Sequence, residues 1–546
     1  MSGTAGTMRR TKHARPRPGV RERLLAPGGQ WLIGLVVSTV LAFLLVGSAL
    51  APGELLVRDF VTVPDPVLND GALGRDGQAA RAVPLNAITA ILSPVISAGV
   101  QQKLILFASI ILAGSGAAWL VRRIPWAAPV AAALASWNPF VVERLLLGQA
   151  PTLLAYSAAP WIVAAVLSRG PLRRRLALTT VAVLPTALTP WGGVAATLTV
   201  VVTVLALTRA LSDLTLAVPP GLLSWPWLLP SLAGAPTTAA ASGAGAFAAG
   251  ADSPYGAFVS IATLGGIWAE GVHLDSRTSG PAVLISLVVL AIAAWGAWCG
   301  WDSRGVRLAA AAWGVPVMIV TACATPAGLA VLSALQSVPG AGLVRDTHRL
   351  LGWSALGVAV LAARGLSDLG RRLADGLAGW LITTVPIVGI SLAVLTIPDA
   401  AAALRVAYTP TTFPAEWTKT VAAVPDRAST LVLPWRPIRS TPWVSGSPFL
   451  DPTGLAITGR PSRASTLVVG RGERTYRVAD AEPPAAIEWA NGRVSRAGLD
   501  DEGIDAVVIW RDTPGPIPST VPGFTRVHDG EHWQVWVRPA RLGATG

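Results

Sequence analysis

Residues 31–70 read WLIGLVVSTVLAFLLVGSALAPGELLVRDFVTVPDPVLND. The first half is an unbroken apolar run of the length that crosses a bilayer core, about 20 residues. The second half, 56–70, follows almost at once and carries Asp59, Asp65 and Asp70 beside a single basic residue, Arg58. An acid held just above hydrocarbon is placed to do chemistry at a membrane surface. The same acid is equally at home as a solvated loop residue, and the rest of the chain has to decide between the two.

Outward from this stretch the composition is unusual. The 546 residues are 52% hydrophobic and 13% charged, with a mean hydropathy of +0.54, against about 25% charged residues in soluble domains. The shortage of charge is confined to 31–399, while 400–546 has ordinary mixed composition. That division predicts a polytopic α-helical membrane protein with a C-terminal extracytoplasmic α/β domain. Residues 1–30 are basic and Pro-rich and are expected to form a disordered cytoplasmic tail. The apolar run behind them is too long for a signal-peptide core, so it is expected to remain as a first span.

At about 20 residues per span, eleven transmembrane helices are expected: 31–50, 103–121, 127–142, 152–167, 176–189, 194–207, 214–232, 282–299, 308–323, 350–363 and 377–396. The short loops after the even-numbered spans test this independently. They read Arg122-Arg123, SRGPLRRR (168–175), TRALSD (208–213), DSRGVR (302–307) and ARGLSDLGRR (363–372). All contain Arg, which by the positive-inside rule makes them cytoplasmic. The N-terminus is then inside the plasma membrane and the C-terminal domain outside. Three outer segments are long, 51–102, 233–280 and 327–349, and loops of that length are usually functional or disordered. Within the first, 84–100 reads as an amphipathic helix lying at the surface. In the C-terminal domain 416–423 reads as a short helix, and TLVLPW (430–435), STLVVG (465–470), DAVVIW (505–510) and WQVWVR (533–538) read as strands.

Several classes of function are excluded. The net charge of +13 and pI near 11.0 suggest nucleic acid, but the basic residues gather in the tail and the short loops, with no basic groove of interleaved aromatics. Cys299 and Cys323 lie in or beside apolar spans with no CxxC, which argues against a disulfide framework or a zinc site.

Three constellations bear on chemistry. Asp59 lies a few residues past the first span, where a carboxylate can deprotonate an acceptor hydroxyl or hold a divalent cation on a lipid phosphate. Asp65, between two prolines, sits in a stiff turn. The second constellation is WNPFVVERLLLGQAPTLLAYSAAPW (137–161), in which Asn138-Pro139 breaks a helix just before Glu143 and Arg144, and Gln149 and Tyr156 flank the next span. Arg144 contacts a lipid phosphate and Glu143 positions it, or the two are an ordinary interfacial pair. The third is LVRDTHRLLGW (343–353), where Arg345, Asp346, His348 and Arg349 crowd the mouth of the tenth span. They form a phosphate or diphosphate site, or an interfacially anchored helix start capped by Asp346 or Thr347. Trp126, Trp161, Trp191 and Trp353 read as an aromatic belt.

With these residues in view, the chain resembles the GT-C class of membrane glycosyltransferases, which use polyprenyl-phosphate-linked sugars. NPFVVERLLLGQ (138–149) and RDTHRLLGWSALGVAVLAARGL (345–366) are similar to actinobacterial members, the branching arabinofuranosyltransferases and their relatives, and the similarity runs loosely over 31–400. The resemblance implies transfer of a sugar to an envelope glycan or lipid acceptor in cell wall biogenesis. It makes Asp59 the base, with Asp65 second. Glu143, Arg144, Arg345 and His348, with Asp346 and Arg349 beside them, would line the donor-phosphate or acceptor region. Many members carry paired acids in the first outer loop, whereas Asp59 and Asp65 are six apart, so metal dependence stays open. The C-terminal domain is expected to bind acceptor glycan through Trp435, Trp443 or Trp510. The rival readings are a non-catalytic membrane scaffold and a lipid-linked-sugar translocator. A translocator calls for charged residues in mid-span, and these spans have almost none.

Overall fold

The computed structural model describes residues 26–76, 82–208, 210–233, 242–338, 340–471, 474–478 and 482–541. The expected disordered tail lies, up to residue 25, outside the described residues. Among those residues six helices are long and apolar enough to cross a membrane: Pro27–Leu50, Ala98–Val121, Pro190–Leu207, Pro281–Trp298, Arg304–Cys323 and Thr347–Gly376. Gly379–Leu395 and Ala400–Ala407, bent by 57°, make a seventh if counted as one span. The chain is a multi-pass membrane protein by this measure.

The other four expected spans are short or broken. Residues 127–142 split at Asn138-Pro139 into Ala127–Ser136 and Pro139–Leu146. Residues 152–167 fall in Ala150–Val166, a shorter apolar helix of 17 residues. Leu172–Val183 gives way to the 3₁₀ turn Leu184–Leu188, and 214–232 becomes three pieces, Leu211–Ala217, Val218–Leu223 and Trp225–Ala233. Pro185, Pro219, Pro220 and Pro226 stand in the first turns of these pieces, and Pro230 lies inside the last of them. Each removes a backbone donor and crowds the preceding turn, which an apolar-residue count does not register.

Small residues let the helices approach backbone to backbone. A Cβ at Gly296 would lie 2.0 Å from the Leu361 carbonyl oxygen, and one at Gly365 would lie 2.2 Å from that of Ile292. Such contacts are how helices associate when their surroundings are as apolar as their side chains. The expected surface helix is shorter than 84–100. It runs Leu85–Leu92, burying Ala87 and Ala90 while Ile91 and Leu92 face outward, and the next helix begins at Ala98.

The C-terminal region holds nine strands among the described residues: β1 (Ser429–Leu433), β2 (Ile438–Arg439), β3 (Phe449–Leu450), β4 (Arg460–Ser462), β5 (Leu467–Arg471), β6 (Arg474–Val478), β7 (Ala506–Trp510), β8 (Thr525–Asp529) and β9 (Trp533–Val537). Five make one mixed sheet in the order β4-β1-β7-β9-β8, while β2–β3 and β5–β6 are separate two-stranded pairs. In β7 the side chains alternate between two cores. Ala506, Val508 and Trp510 face one with Trp417 and Trp533, and Val507 and Ile509 face the other with Trp435 and Trp489. Burial on both faces explains why DAVVIW is a continuous apolar run.

The stretch 56–70 belongs to this domain as much as to the bundle. Leu56 and Val63 enter the sheet's first core. The Leu450 amide donates to the Arg58 carbonyl at 2.8 Å and the Val67 amide to that of Leu455 at 2.8 Å. The Asn69 side-chain amide donates to the carbonyls of Gly454 and Ile457. The first loop is therefore a strap between helices and sheet. Trp510 and Trp435 are correspondingly core residues, 0% and 7% exposed, and only Trp443 of the three expected glycan contacts is half-buried.

Candidate active site

The break at Asn138 builds the site. Its extended backbone interrupts the helix, and its side-chain oxygen accepts from the Val141 amide at 3.0 Å, capping Pro139–Leu146. That short helix carries Glu143 and Arg144 inward, where both are fully buried. Arg144 makes a two-pronged pair with Asp346, Nη1 to Oδ2 at 2.5 Å and Nη2 to Oδ1 at 2.9 Å. It also donates to Gln149 Oε1 at 2.6 Å and to His348 Nδ1 at 3.0 Å. Arg349 Nε stands 3.3 Å from Asp346 Oδ2, so this carboxylate lies between two guanidinium groups. Burial works to raise the pKa of Asp346, but Arg144 and then Arg349 outweigh it and hold the carboxyl well below its usual range. A guanidinium only donates, so His348 accepts at Nδ1 and its Nε2–H donates to the Gly265 carbonyl at 3.2 Å.

A second buried cluster backs the first. Asp252 pairs with Arg277 through Nε and through Nη2, the latter at 3.0 Å, and Arg277 also donates to Thr263 Oγ1 at 3.0 Å. Glu143 Oε2 accepts from the Ile267 amide at 3.2 Å and lies 3.6 Å from His348 Nε2. Burial first, then the Asp252 charge, push Glu143 well above the carboxylate range. Asp252 goes the other way, because Arg277 overrides the effect of burial. Gly265 is where the clusters meet, since a Cβ there would lie 2.2 Å from Asp252 Oδ2. The sequence reading had not singled out Asp252 or Arg277; Asp252 stands alone among Ala, Gly and Ser, while Arg277 lies close to Glu270, His273 and Asp275.

Above the clusters lies Asp59. Residues 57–60 form a tight turn closed by Val57 N to Phe60 O at 3.1 Å and Phe60 N to Val57 O at 2.7 Å, with Arg58 at φ +46°. The turn rests on Gly148, at φ +72°, where a Cβ would come within 2.0 Å of the Val57 oxygen. The Asp59 amide donates to the Leu147 carbonyl at 3.3 Å. The side chain is exposed, and its Oδ2 accepts from Gln149 Nε2 at 3.3 Å. Arg349 is near enough for its charge to interact with that of Asp59. Its guanidinium lies 5.7 Å over Trp191, which is itself 6.3 Å from Trp353. Trp191 is thus a buried floor under Arg349 rather than part of an aromatic belt.

The structure gathers Asp59, Glu143, Arg144, Asp346, His348 and Arg349 into one connected group, with Gln149 as the link sequence reading had left at the edge. Arg345 stands to one side, 4.5 Å over the Phe247 ring. Asp65 is exposed and acts electrostatically on Glu54, outside the group. Among the described residues no three His, Cys, Asp or Glu side chains are grouped to hold a metal ion.

No family model matches the chain, and no curated protein does. Among solved structures it is similar to the crystal structure of the Archaeoglobus fulgidus oligosaccharyltransferase tethered through a disulfide bond to an acceptor peptide containing the NVT sequon. The TM-score is 0.44 at 12% identity, covering 88% of this chain and 69% of that one. Likeness at this level assigns neither family nor activity, and function has to be argued from the site.

Proposed function

We propose that the protein is a membrane glycosyltransferase that moves a sugar from a polyprenyl-phosphate donor to an envelope glycan or lipid on the outer face of the plasma membrane. The observation that carries this reading is the juxtaposition of an exposed carboxylate, Asp59, with the partly exposed guanidinium of Arg349, whose side chain is 22% accessible, at the head of the Thr347–Gly376 span. A base and a cation at the boundary of the apolar layer suit a substrate whose tail stays in lipid while its phosphate and sugar emerge. Asp59 takes the proton of the acceptor hydroxyl as that oxygen bonds to the anomeric carbon. The bond from that carbon to the phosphate oxygen breaks, and polyprenyl phosphate leaves with the electron pair. Arg349 lowers the cost of the charge developing on the leaving oxygen, and Asp59 passes its proton to water.

Arg144 does not touch the phosphate in this scheme. Its guanidinium is 0% exposed and engaged by Asp346, Gln149 and His348, so it organises the residues that do. Asp346 orients Arg349, and Arg345 flanks the same mouth. Asp65 has no step. The Arg-rich loops, read by the positive-inside rule, support an outer position for this end of the bundle, with the C-terminal domain presenting the acceptor.

The test is envelope linkage analysis in a deletion strain complemented with wild type or with Asp59→Asn. The reading expects the variant to accumulate normally in the membrane and to lack one glycosidic linkage. Wild-type linkages in that strain would leave the chain a membrane scaffold.

A further inference from the structure

We propose that Gln149 is the positioning residue for Asp59, tying the exposed carboxylate to the buried Arg144–Asp346 pair; this rests on the transferase reading above. The orientation of the Gln149 amide is dictated by its neighbour. Arg144 can only donate, so the Gln149 oxygen has to face it at 2.6 Å, which leaves the NH₂ group to donate to Asp59 Oδ2 at 3.3 Å. A flipped amide would set N–H against N–H. The anchor is firm, because Arg144 is clamped by Asp346 and His348 and the Gln149 backbone amide donates to the Arg144 carbonyl at 2.9 Å. Gln149 itself is 7% exposed.

Two devices then act on Asp59. Contact with Leu147 and Gly148 fixes its backbone, and Gln149 fixes the direction of its carboxylate by engaging Oδ2. Oδ1 is left to meet the acceptor hydroxyl. The residue works through Asp59 and has no contact with the sugar in this scheme.

Gln149→Glu separates this role from simple packing. It keeps the size of the side chain and gives Arg144 a better acceptor, so a residue needed only to satisfy Arg144 would tolerate it. Toward Asp59 it turns a donor into a second carboxylate. In an Asp59→Asn background the Asn amide can donate to Glu, which restores the contact without the base. Four full-length proteins in lipid nanodiscs (wild type, Q149E, D59N and Q149E/D59N) are compared by thermal melting. Transfer is measured from farnesyl-phosphate-linked arabinofuranose to envelope glycan of the deletion strain.

Q149E is expected to melt below both wild type and the double variant, and to lose roughly 10- to 100-fold in kcat with the donor KM unchanged. If Q149E fails to accumulate, the double variant must accumulate. Wild-type melting and kcat for Q149E, or a double variant no more stable than Q149E, overturns the proposal. If wild type transfers nothing from this donor, the melting comparison alone decides whether Gln149 holds Asp59, and the transferase reading is tested separately by the envelope linkage analysis above.

Discussion

Arg144 and Asp346 are 202 residues apart in the chain and share a two-pronged contact with almost no exposure. Breaking one partner of a buried pair leaves an uncompensated charge and typically costs about 3–5 kcal/mol. Asp346→Asn is therefore expected to lower the melting temperature far more than a substitution at exposed Asp65. The same pair gives a pH dependence. Asp346 and Asp252 both have folded pKa values below those of the unfolded chain. Their contribution is complete above the unfolded Asp value of about 3.9 and is lost as pH falls toward the lower folded values. A melting series taken downward from neutral pH should fall steeply in that acid window for wild type and less steeply for Asp346→Asn. At this scale the sequence was partly legible. Each charged residue near a span end stood out singly, but nothing in NPFVVERLLLGQ shows that Arg144 is consumed by Asp346 while Arg349 stays partly exposed. Long-range pairing has no local signature.

The element that matters most is the break at Asn138. Its cap restarts the chain as Pro139–Leu146 and aims Glu143 and Arg144 into the bundle. Asn138→Ala should cost about 1 kcal/mol, within the usual 0.5–2 range for a lost cap, read as a drop in melting temperature. A larger proportional loss of transfer than of stability would show that the cap sets the direction of the site and not only its persistence. This break was visible in the sequence because Asn-Pro is strong punctuation. Three strands of the main sheet, β1, β7 and β9, were visible through β-branched and aromatic runs, whereas β4 and β8 were not, and the expected strand at 465–470 pairs apart from that sheet as β5. The breaks at 184–190 and 218–230 escaped because prolines inside apolar stretches leave hydropathy untouched while ending the helix. The Asp252–Arg277 pair escaped because its loop has no periodicity to read.

Over the whole molecule, residues 56–70 join two bodies, with Leu56 and Val63 in the sheet's core and Asp59 on the bundle's Gly148. The membrane orientation proposed from loop charge has a direct check. With Cys299 and Cys323 replaced by Ser, a cysteine at exposed Ser519 should react with a membrane-impermeant maleimide in intact cells. One at exposed Ser303 should react only after permeabilisation, and the reverse pattern would place Asp59 on the cytoplasmic side. The general architecture was legible from composition, since charge is sparse between residues 31 and 399 and ordinary after them. The docking of the first loop into the C-terminal sheet was not, because the partners are separated by most of the chain.

The most direct measurement is sugar transfer by the purified full-length protein in nanodiscs, wild type against Asp59→Asn, following the release of prenyl phosphate. Wild type should release it in step with glycan labelling, and Asp59→Asn should be slower by about 10²–10⁴-fold, the usual weight of a general base, at an unchanged melting temperature. Equal rates for the two proteins would contradict the account.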